Sequence, residues 1–105
     1  MNTTTEAKNA RLQMATTIMQ QIGVMNRMAC GARQAVAIDN GVMFRVSTRK
    51  PRTLTKIIVE LTPMDLYHVR LVKIDRKTGS ASMLEEHNGV YAESLGNTVY
   101  HMVNK

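Results

Sequence analysis

The chain has 105 residues, 44% of them hydrophobic, and a formal charge of +6. That length fits one domain with one modest core, and the apolar share excludes wholesale disorder. The positive balance excludes a mimic of DNA and favours contact with nucleic acid, an acidic protein or anionic lipid.

With one Phe, three Tyr and no Trp, the core must be built from Val, Ile, Leu, Ala and Met. A single cysteine, Cys30, excludes an internal disulfide and suits a reducing compartment. The polar start carries no apolar signal region, and no apolar run reaches the roughly 18 residues that a membrane span needs. The expectation is a cytoplasmic protein without membrane contact.

Residues 1–4 read as a loose end, with Thr3-x-x-Glu6 as a capping box. Leu12, Ala15, Ile18 or Met19, Ile22 and Met25 recur at three- and four-residue steps, which predicts one face of an amphipathic helix. Gly23 can end that helix in a left-handed cap, so that it covers 5–22 and a connection and strand follow. If Gly23 is tolerated, the helix runs to Gly31.

Beyond Gly31 the period becomes two. Val36 and Ile38 precede Asp39-Asn40-Gly41, a hairpin signal because Asn-Gly accepts positive φ. Val42, Phe44 and Val46 alternate with Met43, Arg45 and Ser47. Ile57, Val59 and Leu61 alternate with Lys56, Ile58 and Glu60, and Tyr67, Val69 and Leu71 with His68, Arg70 and Val72. Thr62-Pro63-x-Asp65 predicts a single helical turn. Asp75 to Gly79 predicts a turn with a bulge, after which Ser80–Glu86 returns as a strand. Asn88-Gly89 breaks the pattern, and Val90, Leu95, Val99 and Met102 suggest a short C-terminal helix despite Gly96. The predicted class is α+β: an N-terminal helix, an antiparallel meander of about four or five strands, and a short C-terminal helix.

Charge is concentrated where two predicted strands meet. Arg45, Arg49, Lys50, Arg52 and Lys56 fall between Val42 and Lys56 with no acid among them. Arg49, Lys50 and Arg52 sit on a predicted hairpin loop with Pro51, and Arg45, Lys56 and Arg70 project from the solvent face of neighbouring strands. Such a patch suits phosphate, although solvated edge charges that discourage aggregation would look the same. The same face carries Met43, Ile58 and Val72, a mixture of apolar and basic groups that suits a protein partner or a second copy of the chain. It offers no aromatic platform for bases, and no zinc-finger spacing is present.

Nine methionines are many for this length, and core filling is their expected role. Cys30 lacks an activating context, His68, His87 and His101 lack metal-ligand spacing, and Glu85-Glu86-His87 reads as a strand end. No catalytic motif is present, so neither enzyme activity nor a cofactor is expected.

Several short strings occur together: Gly23-x-x-x-Arg27, Gly31-Ala32-Arg33, Phe44 in its strand, Leu61-Thr-Pro-Met-Asp65-Leu-Tyr67, and His87-Asn-Gly-Val-Tyr91-Ala-Glu93-Ser-Leu95. In this order they resemble a group of small bacteriophage and prophage proteins without an assigned activity. The chain departs from that group at its end, where GNTVYHMVNK replaces an acid-rich, aromatic extension. The resemblance implies a viral setting inside a host cell, where small nonenzymatic proteins bind nucleic acid or host factors. The expected partner is nucleic acid or an acidic host protein, with a homodimer as a further expectation.

Overall fold

Gly23 decides how the first third of the chain is laid out. In the computed structural model, which describes residues 3–47 and 54–104, helix α1 runs Thr3–Ile22 and helix α2 runs Val24–Cys30. Gly23 lies between them at φ 90 and ψ 149, a backbone region essentially closed to other residues. The Gly31 amide then donates to the Met28 carbonyl (3.1 Å) and the Ala32 amide to Arg27 (2.9 Å). This is a Schellman ending, with Gly31 left-handed at φ 64. Both glycines are therefore used. The expected connection after Gly23 is a second short helix.

The helix also starts earlier than expected, since Thr3 already belongs to it. The side chains of the predicted capping box, Thr3 and Glu6, lie outside the described residues. Ala15, Ile18 and Ile22 form the buried stripe of α1, while Leu12 and Met25 are exposed. Met14 and Met19 pack partly against the core and Met102 is buried, but Met28 is 72% exposed. Core filling therefore accounts for only some of the methionines.

Five strands follow: β1 Arg33–Ile38, β2 Gly41–Val46, β3 Leu54–Leu61, β4 Tyr67–Ile74 and β5 Ala81–Val90. They form one antiparallel sheet in the order β1-β2-β3-β4-β5, and helix α3, Ala92–Val103, closes the α+β fold. In the β1–β2 hairpin Ile38 pairs with Gly41, and neither Asp39 nor Asn40 has positive φ. Gly41 is required for a different reason than the predicted turn chemistry. It is buried against β3, and a Cβ there would overlap the Val59 carbonyl. The β3–β4 connection is a hydrogen-bonded turn rather than a helical one. The Asp65 amide donates to the Thr62 carbonyl (3.0 Å), and both the amide and the hydroxyl of Thr62 donate to the Leu66 carbonyl (2.8 and 2.9 Å). The Asp75–Ser80 turn is closed by the Gly79 amide on the Asp75 carbonyl (2.7 Å), with Gly79 at φ 76.

Alternation divides the sheet into two faces. Val42, Phe44, Val46, Ile57, Val59, Val69 and Leu71 point to one side, where Ile18 and Ile22 of α1 and Leu95, Val99 and Met102 of α3 join them in a single apolar cluster. Phe44 is its largest fully buried side chain. Removing that ring would cost about 3–5 kcal/mol. The Tyr67 hydroxyl donates to Gln21 Oε1 (2.5 Å) and ties β4 to α1. Among the described residues no helix is long and apolar enough to cross a membrane.

Candidate anion-docking face of the sheet

The helices cover one face of the sheet and leave the other open, and strand register sorts the residues on that open face into rows. One row reads Val36, Met43, Ile58, Arg70 and Glu86 across the five strands; the next reads Arg33, Arg45, Lys56, Val72 and Met83. Leu54, Ile74 and Ala81 make a third.

The second row sets three cations side by side on β1, β2 and β3. Strands lie about 4.8 Å apart, so the row spans about 10 Å. Among the described residues no carboxylate is within ion-pair distance of Arg33, Arg45 or Lys56. Like charges directly opposite one another weaken a ladder, which makes an unneutralised row a cost to the fold unless something anionic covers it.

Arg33 reaches this row through a bulge. The Ile38–Gly41 register, continued unchanged, would set Arg33 opposite Val46 on the core side. The pairing instead shifts by one residue between Arg33 and Val36, with Gln34 at φ 54, and Arg33 stands opposite Arg45. A one-residue shift exchanges the two faces of a strand, so the bulge turns a cation from the core side to the open side. Nothing in the local sequence marks that bulge, and Arg33 was not among the sequence-predicted site residues.

The other predicted positions distribute as follows. Arg45 and Lys56 are half-buried members of the cation row. Arg49, Lys50 and Arg52 lie outside the described residues. Arg70 is on the same face but forms an ion pair with Glu60, each side chain 32% exposed. The Arg70 Nε is buried without a partner. Beside this pair, His68 Nε2 lies 3.3 Å from Glu86 Oε2 without hydrogen-bond geometry. The β4 end of the face is therefore internally compensated, and the β1–β3 end is not.

Met43, Ile58 and Val72 do share the open face. Met43 is directly opposite Ile58, and Val72 opposite Lys56. Val72 is only 7% exposed yet stands apart from the main core cluster, so it is buried by its neighbours on the open side. Val36 and Met83, at the two edges, are more than half exposed. Among the described residues no Phe, Tyr or Trp lies on this face.

The remaining candidates lie elsewhere. Cys30 is fully buried, and its Sγ lies 3.9 Å from the Val99 carbonyl and 3.8 Å from Asn104 Nδ2. Burial pushes its pKa up, with the Asn104 hydrogen bond opposing. A protonated, enclosed thiol is a poor nucleophile. His87 Nε2 meets Glu85 Oε2 at 2.8 Å on β5. Among the described residues no group of three or more His, Cys, Asp or Glu is arranged to hold a metal. In comparisons with known proteins, no family model, curated protein or solved structure matches the chain.

Proposed function

We propose that the protein is a nonenzymatic accessory protein that binds nucleic acid on the open face of its sheet. The observation that carries this reading is the uncompensated row Arg33, Arg45 and Lys56. A phosphate backbone would neutralise these charges and remove their mutual repulsion. Arg49, Lys50 and Arg52 lie between β2 and β3 in the sequence and add to the chain's positive charge. Arg70, paired with Glu60, is not part of this row. The resemblance to phage proteins adds a viral setting in a host cell to this reading.

Without aromatic platforms the binding is to backbone rather than bases, so it is independent of sequence and steeply sensitive to salt. A titration of duplex DNA at increasing salt tests this. Replacing Arg33, Arg45 and Lys56 together with Gln should flatten the slope of log K against log salt by about 0.9 per lost phosphate contact. Binding indifferent to salt, or none at low salt, removes the proposal.

A second reading rests on the apolar residues of the same face. Val36, Met43, Ile58 and Met83 interleave with the cations, and DNA backbone has little use for them. An acidic host protein would use both. A second copy of the chain is a weaker fit, because it would present a second uncompensated cation row. On this reading Ile58→Asp abolishes capture of an acidic protein, and salt has only a shallow effect.

A further inference from the structure

The break at Gly23 has a product on the helix side of the sheet. Two adjoining grooves, of about 410 and 390 Å³, run between the α1–α2 corner and β1, and they share Met19, Arg27 and Ala35 as walls. Apolar side chains dominate their sides: Leu12 and Met19 from α1, Val24 and Met28 from α2. Leu12, Val24 and Met28 are all at least half exposed, so the chain spends no core packing on them.

Charge in the grooves has one sign. Arg27 and Arg33 line them, no acidic side chain does, and neither arginine has a carboxylate partner among the described residues. Among the described residues the Arg27 Nε reaches only the Gly23 carbonyl, at 3.4 Å.

We infer that this double groove is a docking site for a short polypeptide segment that places a carboxylate beside bulky apolar side chains. Unbranched methionine walls adapt to such side chains, and the Arg27 guanidinium, common to both grooves, takes the carboxylate in a charge-assisted hydrogen bond. The grooves are open along the surface, which does not suit a lipid tail that needs enclosure. They hold no aromatic platform for a base. Strand addition at β1 is not the mode of binding, since the bulge at Gln34 interrupts the regular spacing of its outer edge. Recognition is by side chains seated in the groove. Arg33 borders one of the grooves and also belongs to the cation row of the open face; the inference rests on Arg27, which lines both grooves, and not on the nucleic-acid proposal.

Selection of a random-peptide display library against the full chain tests the inference. Enriched peptides should carry Asp or Glu close to Leu, Ile, Met or Phe. Their affinity should fall by about tenfold or more in Met28→Asp and in Arg27→Gln, a loss of about 1.4 kcal/mol. Met28 is exposed enough for its variant to fold, and circular dichroism of both variants checks this. Arg45→Gln and Lys56→Gln should bind the peptides unchanged. No enrichment, enrichment of peptides without carboxylates, or binding that ignores Met28→Asp would overturn the inference. So would competitive displacement from this groove by duplex DNA or by phosphatidylglycerol vesicles, which would assign it to a polyanion or a lipid surface.

Discussion

Arg45 stands directly across the β2–β3 ladder from Lys56, and no carboxylate among the described residues neutralises either. Arg33 flanks Arg45 on its other side. Replacing Arg45 with Gln keeps most of the aliphatic stem and removes the central charge. Stability at low salt should rise by about 0.2–1 kcal/mol, and the gain should shrink as salt screens the row. Urea unfolding at two ionic strengths measures it. The same variant should bind DNA less tightly, so stability and affinity move in opposite directions. A loss of stability at low salt would show that the row is not repulsive.

Gly41 distinguishes two explanations of one hairpin. If glycine served the turn by allowing positive φ, Gly41→Asn would be tolerated. Because the constraint is the nearby Val59 carbonyl, Gly41→Asn should destabilise as severely as Gly41→Ala. Each should cost about 3 kcal/mol or more, as over-packing against backbone does. Thermal unfolding of the two variants separates the explanations.

The Arg70–Glu60 pair should matter to the fold and not to DNA. A double-mutant cycle with Arg70→Gln and Glu60→Gln should give a coupling of about 1 kcal/mol, modest because both side chains are one-third exposed. Arg70→Gln should leave the salt slope of DNA binding unchanged. A slope that flattens as much as it does for Arg45→Gln would return Arg70 to the docking row.

Alkaline pH should weaken the fold. Burial raises the Cys30 thiol above its ordinary 9.0, against a hydrogen bond from Asn104, and raises the Tyr67 phenol above 10.0. The folded chain keeps these protons where the unfolded chain has lost them. Their contribution is whole below the unfolded values and declines as pH climbs past about 9. Urea midpoints should be level near neutrality and fall in the alkaline range. Tyr67→Phe should make that fall shallower, and native Cys30 should resist alkylation at neutral pH.

Much of this architecture could be read from pattern. The period-two runs at Val42–Val46, Ile57–Leu61 and Tyr67–Leu71 mark three strands because burial on one face writes itself into alternate positions. The glycine of the Asp75–Gly79 turn is also where the pattern puts it. Features that depend on contacts distant in the chain were hidden. Gly41 reads as a turn residue, but its constraint comes from Val59. Asn88-Gly89 reads as a strand end, yet β5 continues to Val90, with a register shift in its pairing to β4 and Gly89 at φ 66. Arg33 could not be assigned to a face without the bulge at Gln34. Pattern alone does not choose between a connection and more helix for Val24–Cys30, because its apolar side chains, Val24, Met25 and Met28, face outward and only Cys30 is buried.

Both outermost strands of the sheet are irregular: β1 shifts register once and β5 twice. Bulges of this kind bend a strand and put the hydrogen-bonding groups of its free border out of step, which discourages edge-to-edge pairing of copies. Growth along the borders is thus disfavoured, and contacts with other molecules are left to the faces of the sheet.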